Sequence, residues 1–194
     1  MDKRKSELRR ETRETKVDIT LNLDGNGKAE ISTGVGFLDH MLTLLARHAS
    51  FDLKLTCKGD LNVEDHHTVE DCGIVLGSAV LEAVGERRGI KRFASSYVPM
   101  DEALARVVID LSGRPCSVVN MDLKRDSVGD LACENIPHFI KSFAIASKTT
   151  IHADVIRGDN DHHKAEAVFK ALALALKDAV RIVGTEIPST KGVI

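Results

Sequence analysis

Asp65-His66-His67-Thr68-Val69-Glu70 is written again as Asp161-His162-His163-Lys164-Ala165-Glu166, one D-H-H-x-x-E string at an offset of 96 positions. Upstream, Leu38-Asp39-His40-Met41-Leu42 matches Ile136-Pro137-His138-Phe139-Ile140 at an offset of 98, so small insertions separate two copies of one plan. The strands repeat as well. Val17, Ile19, Leu21 and Leu23 alternate with Asp18, Thr20 and Asn22 before the turn Asp24-Gly25-Asn26-Gly27, and Val107, Ile109 and Leu111 alternate likewise before Ser112-Gly113. Apolar stripes at helical spacing close each copy. They are Val69, Cys72, Gly73, Leu76, Val80 and Val84 in a segment from about His66 to Glu86, and Ala165, Val168, Leu172, Leu176, Ala179 and Val183 in the last one. Asp65 and Asp161 stand where an N-cap oxygen would accept orphan backbone N–H bonds, which puts both histidine pairs in the first turn of a helix.

Each copy therefore reads as hairpin strands, a helix, a further strand and a last helix. The chain is expected to be α+β: two internally duplicated ββαβα-type halves forming mixed four-stranded sheets with helices on one face. The polar, glycine-flanked break Gly85-Glu86-Arg87-Arg88-Gly89 marks the seam, giving half-repeats 1–90 and 91–194 packed as one catalytic unit. Stacking similar pieces preserves apolar spacing. It supplies no reason to preserve costly polar residues at matching positions, where this repeat is closest.

Composition excludes several classes of function. The 194 residues suffice for a sizeable apolar core, and 27 basic against 29 acidic side chains leave a formal charge of -2, without the basic field that nucleic acid requires. Apolar runs such as Ala171–Leu176 fall far short of the roughly 20 residues of a membrane helix. Met1-Asp2-Lys3-Arg4 leads into no apolar run, so no secretory leader and a cytoplasmic location are expected. Cys57, Cys72, Cys116 and Cys133 fit neither a redox pair nor a zinc ribbon and read as buried free thiols. Tryptophan is absent and aromatics make up 4%, which leaves no stacking platform for bases.

Successive helical side chains diverge by about 100°, whereas residues three and four apart share a face. His66 and His67 are thus expected to serve two different ions, with Glu70 able to join either; His162, His163 and Glu166 repeat the arrangement. With His40 and His138 the set reaches six imidazoles and two carboxylates, enough for two sites of three His and one Glu each. A lone histidine on a half-apolar helix is more often a hydrogen-bonded core residue than a ligand. His48 and His152 fall under that reading. The duplicated set does not, because burying so many imidazoles and acids without a cation would cost heavily in desolvation. Mixed N/O donors without thiolates suit Mn²⁺, Fe²⁺, Zn²⁺ or Co²⁺, and spacing does not choose among them. Arg92, Arg114, Ser189 and Lys191 form a second constellation suited to an oxyanion, and Lys170, four past Glu166, could reach the same mouth.

The ordered motifs Arg13-Glu14-Thr15, Gly36-Phe37-Leu38-Asp39-His40, Asp65-His66-His67-Thr68-Val69-Glu70-Asp71, Ser112-Gly113-Arg114-Pro115, Asn160-Asp161-His162-His163 and Ser189-Thr190-Lys191-Gly192 resemble those of the imidazoleglycerol-phosphate dehydratase family across nearly the whole chain. The resemblance implies a carbon–oxygen lyase of histidine biosynthesis, two Mn²⁺ ions per active site, and a homo-oligomer of 24 subunits with sites between subunits. It implies metal ligation by His40, His66, His67, Glu70, His138, His162, His163 and Glu166. Phosphate would be held by Arg92, Arg114, Lys170, Ser189 and Lys191. Glu14 would face the reacting carbons, with Glu70 and Glu166 also in the catalytic set. In the dehydration, the hydrogen to be lost sits on a carbinol carbon with no neighbouring carbonyl, so enolate stabilisation is not available. The expected route is a metal-bound imidazolate whose electrons expel the neighbouring hydroxyl. The competing readings are a dinuclear metallohydrolase of phosphate esters, and a metal-buffering or assembly protein in which every coordination position is filled.

Overall fold

A computed structural model describes residues 4–194; Met1, Asp2 and Lys3, part of the segment read for a leader, lie outside the described residues. In the first half the chain forms β1 (Lys5–Glu11), β2 (Thr15–Asn22), β3 (Ala29–Ser32), α1 (Gly36–Ala49), β4 (Asp52–Gly59) and α2 (His66–Val84). It continues with β5 (Phe93–Met100), β6 (Ala103–Asp110), β7 (Cys116–Asn120), the two-residue strands β8 (Ser127–Val128) and β9 (Leu131–Ala132), α3 (Asn135–Ser147), β10 (Thr150–Arg157) and α4 (Asp161–Ala179). The sheets have the orders β1-β2-β4-β3 and β5-β6-β10-β7. The last-named strand of each runs parallel to its neighbour, and the other pairs are antiparallel. The architecture is the expected α+β one, with mixed four-stranded sheets. Its element string differs by a third strand ahead of the first helix of each half and, in the second half, by the two-residue strands β8 and β9 as well. That third strand is short and half-exposed in β3, too weak a period-2 signal to stand out.

Period-2 burial explains the layers. Val17, Ile19 and Leu21 face inward from β2, Leu53, Leu55 and Cys57 from β4, and Val107 and Ile109 from β6. Helices α1 and α2 cover the inner face of the first sheet, and α3 and α4 that of the second. The helical layers meet where α2 packs on α3 and α1 on α4. Phe139, Phe143 and Phe169 are fully buried there, the rings of Phe139 and Phe169 5.6 Å apart. Close approach of α2 to α3 rests on two glycines. A Cβ at Gly73 would come 2.9 Å from the Phe139 carbonyl oxygen, and one at Gly77 would come 2.5 Å from that of Phe143.

Two sequence expectations are corrected here. Cys57, Cys72 and Cys133 are buried free thiols, but Cys116 is exposed, on the outer face of the edge strand β7. Helix α4 stops at Ala179, so Val183 leaves the stripe and is exposed. Beyond it, the backbone N–H groups of Val183, Lys91 and Gly89 pair with the carbonyls of Gly89, Arg181 and Glu186, lacing the segment after α4 onto the one after α2.

Candidate active site

Helix starts position the histidines. Asp130, from the second half, accepts from the first two N–H groups of α1, Gly36 at 2.6 Å and Phe37 at 3.0 Å, which seats His40 one turn in. At α4 the cap is Asn160, whose Oδ1 accepts from the His162 N–H at 2.9 Å. Asp161 is therefore not the cap. It is the first helical residue, buried, and its carboxylate accepts from the backbone N–H groups of Lys124 (2.8 Å) and Arg125 (2.7 Å) and from Lys164 Nζ (2.9 Å). Burial opposes its charge, but Lys164 and the two N–H donors outweigh that and hold its pKa below the ordinary value. Asp65 likewise makes no cap bond. Its oxygens accept from the Ala132 N–H (2.8 Å) and Asn135 Nδ2 (3.0 Å), tying the start of α2 to that of α3. Each aspartate spends its acceptors on a neighbouring segment, contacts that chain spacing does not encode.

Two three-residue clusters result, His40 with His162 and Glu166, and His66 with Glu70 and His138, each with donor atoms within 4.8 Å of one another. In the first, Glu166 Oε1 meets His40 Nε2 at 2.7 Å and His162 Nε2 at 3.0 Å, while Oε2 meets Lys170 Nζ at 2.6 Å. Burial alone would raise the Glu166 pKa; the bonds from Lys170, His40 and His162 win and pull it down to about 2. In the second, the rings of His66 and His138 stack with centroids 4.6 Å apart, and Asn135 Oδ1 fixes His66 through Nδ1 at 3.0 Å. His138 Nε2 is buried with no hydrogen-bond partner among the described residues, its nearest acid being Glu70 Oε1 at 3.5 Å. An imidazole nitrogen left so is costly, and a divalent cation among these N and O donors would relieve the cost. The donor sets fit such an ion.

His67 and His163 point elsewhere. The ring of His67 is 84° to that of His66, and the ring of His163 is 88° to that of His162, so each pair diverges as the helical geometry requires. Both are held through Nδ1 by a carboxylate, His67 by Asp60 (3.1 Å) and His163 by Glu102 (2.7 Å). Those bonds are the main reason that both imidazole pKa values are raised. Glu102 is held down to about 2 by the Asn160 N–H first and by His163 next. A carboxylate on Nδ1 with Nε2 turned outward is the way proteins orient a metal-ligating histidine. Glu14 Oε1 lies 3.7 Å from His67 Nε2, and Asp101 Oδ2 lies 3.6 Å from His163 Nε2, from the equivalent turns β1–β2 and β5–β6. The sequence singles out none of Asp60, Asn135 and Asp130, and assigns no role to Asp101 or Glu102. Only Asp101 carried a signal, since it precedes β6 much as Glu14 precedes β2.

The oxyanion constellation gathers around a cavity of about 400 Å³ lined by Arg92, Ser112, Gly113, Arg114, Ser189 and Lys191. Arg92 sits in the left-handed region (φ 72°), forks onto Asp110 at 2.7 and 3.3 Å, and donates through Nη1 to the Pro188 carbonyl at 2.7 Å, which ties the tail to the pocket. Lys170 is not among these residues. It lies against Glu166 and 3.3 Å from Met100 Sδ, because its i,i+4 partner is a buried carboxylate. His48 and His152 belong to neither cluster.

A family model described as imidazoleglycerol-phosphate dehydratase matches residues 33–176, a span that holds both clusters together with His67 and His163. The chain belongs to the imidazoleglycerol-phosphate dehydratase family. An imidazoleglycerol-phosphate dehydratase of Methanothermobacter thermautotrophicus is 55% identical over 189 residues, which is 97% of each chain. One of Phytophthora nicotianae is 55% identical over 192 residues, 98% of this chain but 42% of that longer protein. The crystal structure of imidazoleglycerol-phosphate dehydratase from Staphylococcus aureus superposes with a TM-score of 0.82 at 40% identity, covering 90% of this chain and 97% of that one. As a member of the imidazoleglycerol-phosphate dehydratase family the chain is an enzyme, and its α+β fold is that of the family's solved members. Glu14, Ser189 and Lys191 lie outside the matched span, while Arg92, Arg114 and Lys170 lie within it. No helix among the described residues is long and apolar enough to cross a membrane.

Proposed function

We propose that this chain is a cytoplasmic, Mn²⁺-dependent lyase that converts imidazoleglycerol phosphate to imidazole acetol phosphate and water in histidine biosynthesis. The observation that carries the reading is the pair of equivalent two-imidazole, one-carboxylate clusters, each with a third imidazole on the same helix turned outward. His40, His162 and Glu166 would hold one ion and His66, Glu70 and His138 a second. His67 and His163 would complete such centres in neighbouring copies of the chain, so that each active site has two ions and lies between subunits of a 24-subunit homo-oligomer. Bound there, the ions would supply Lewis acidity at the imidazole ring of the substrate. Three imidazoles and one carboxylate at each centre would leave room for a substrate on an ion that prefers six ligands, unlike a closed storage site.

The protein's own residues do the rest. Arg92, Arg114, Ser189 and Lys191 bind the phosphate and hold the three-carbon chain in one orientation. Lys170, beside Glu166, keeps that carboxylate ionised and so available as a ligand. Glu14, exposed beside His67 Nε2, moves a proton at the reacting carbons. A metallohydrolase would instead release inorganic phosphate, and imidazole-dominated donors favour the lyase. The test is turnover of imidazoleglycerol phosphate by chelated and Mn²⁺-reconstituted enzyme, assayed for both new carbonyl and free phosphate. Carbonyl product only with metal is expected; full turnover by metal-free protein, or phosphate release, would overturn the reading.

A further inference from the structure

The two clusters are equivalent by position and unequal by surroundings. Three residues before His138 stands Asn135, and three before His40 stands Phe37. Asn135, the first residue of α3, is 2% exposed, with its amide between Asp65 and His66. Its Nδ2 donates to Asp65 Oδ1 at 3.0 Å, while Asp65 Oδ2 accepts from the Ala132 N–H at 2.8 Å. A carboxylate only accepts, so the amide presents its NH2 to Asp65 and its oxygen to His66 Nδ1, 3.0 Å away. Nδ1 must then carry the ring proton, and Nε2 keeps the lone pair that a cation needs. The line from the Ala132 N–H through Asp65 and Asn135 to His66 thus sets one tautomer before any ion arrives.

The His40 cluster has no such line among the described residues. Phe37 gives the His162 ring an aromatic contact, centroids 5.0 Å apart, and His162 Nδ1 makes no hydrogen bond there. The oxygens of Asp161 are engaged by Lys124, Arg125 and Lys164. Glu166 Oε1 instead faces Nε2 of both His40 and His162, at 2.7 and 3.0 Å, and an oxygen that only accepts places a proton on each of those nitrogens. Lys170 Nζ, 2.6 Å from Oε2, adds a positive charge, whereas the residue four past Glu70 is Ile74 and the ion-pair partner of Glu70 is His138 at 3.5 Å. An ion entering the His40 cluster must displace two hydrogen bonds beside an ammonium. One entering the His66 cluster meets a lone pair already free.

We propose that Asn135 is a positioning residue that fixes His66 as a metal ligand, and that the His66 cluster therefore binds its divalent cation more tightly than the His40 cluster. The proposal rests on the reading of both clusters as metal centres. Its test is titration of chelated enzyme with Mn²⁺ alone, bound metal per chain being measured by elemental analysis after equilibrium dialysis at fixed protein concentration. Two steps separated by about tenfold or more in Kd are expected, because the hydrogen bond that orients a ligating histidine is worth about 10–100-fold in metal affinity. The tighter step should vanish in His66→Gln and survive in His162→Gln. Asn135→Leu should weaken that step by about 10–100-fold and leave the other where it was, whereas a merely structural role would move both. Two steps of equal affinity, a tighter step lost in His162→Gln, or an Asn135→Leu variant in which both steps shift or neither does would overturn it. Should N135L fail to fold, Asp65→Asn decides, since an amide at 65 lets the Asn135 amide turn over. Weakening of the tighter step alone supports the assignment, and an unchanged tighter step overturns it. Unaltered enzyme that takes up no Mn²⁺ would refute the metal reading itself, a result distinct from any effect of Asn135.

Discussion

Glu14 shows how a single side chain is kept both fixed and free. Its backbone is held in the β1–β2 turn by Thr12 Oγ1, which accepts from the Glu14 N–H at 3.1 Å and the Thr15 N–H at 3.0 Å, and by the Asp60 N–H on its carbonyl at 3.1 Å. The next residue, Thr15, donates to buried Asp71 on α2, one turn beyond the histidine pair, and Arg10 Nε meets the same carboxylate at 3.0 Å. The turn is therefore anchored to the helix that carries His66, His67 and Glu70. The Glu14 carboxylate itself remains half-exposed, with no hydrogen bond of its own among the described residues. A group so placed has freedom to exchange a proton with substrate. Glu14→Gln keeps the size and the hydrogen-bonding reach but removes proton transfer, so kcat should fall by about 10²–10⁴-fold while metal content stays at the unaltered level. Steady-state kinetics beside elemental analysis check this, and an unchanged kcat would remove Glu14 from the reaction.

At the scale of elements, the duplicated histidine helices were legible because burial forces α2 and α4 to keep an apolar stripe, against which a repeated D-H-H-x-x-E stands out as an expense without a packing reason. What escaped was supplied across the chain. Asp60 and Glu102 hold the outward histidines from loops with no common offset, and neither Asp65 nor Asp161 caps its own helix: Asp65 reaches β9 and the start of α3, and Asp161 the loop at Lys124 and Arg125. Lys170 is expected at the phosphate because its reach is compatible with several neighbours, and within one chain it meets Glu166. The crossing of α2 on α3 brings His66 to His138, and Gly77 sets its closeness: an added Cβ would meet the Phe143 carbonyl at 2.5 Å and Ala146 Cβ at 2.9 Å. Alanine in a helix interior normally gains about 1 kcal/mol over glycine. In Gly77→Ala the clash with backbone should exceed that gain, for a net loss of about 1–3 kcal/mol in denaturant unfolding. Because α3 carries His138, metal bound to the His66 cluster should weaken while the His40 cluster is spared. A variant more stable than the parent would show that the helices have room to separate.

Across the whole molecule the duplication is faithful inside and abandoned outside. The outward face of the first sheet carries Lys5, Glu7, Arg9, Asp18, Lys54 and Lys58, a solvated surface, whereas the second presents Phe93, Tyr97, Val108 and Val118. His152 stands between Val108 and Val118 in register. Exposed apolar side chains, interspersed with Ser95, Arg106, His152 and Asp154, on one of two otherwise equivalent sheets mark a surface suited to burial against another chain. The outward histidines make the same demand chemically, because His67 and His163 are oriented by carboxylates yet belong to neither cluster of their own subunit. No pattern within one chain states which neighbour such histidines would meet, and for that reason the proposed assembly rests on the family resemblance. If ions join imidazoles of different subunits, metal binding and association are linked, and each stabilises the other by mass action. Exhaustive chelation should then shift the enzyme to smaller species in light scattering on a sizing column, and Mn²⁺ should restore the larger one. A mass that stays constant while elemental analysis reads zero metal would mean that the subunits are held by their apolar faces alone. The clusters would then have to be completed within one chain.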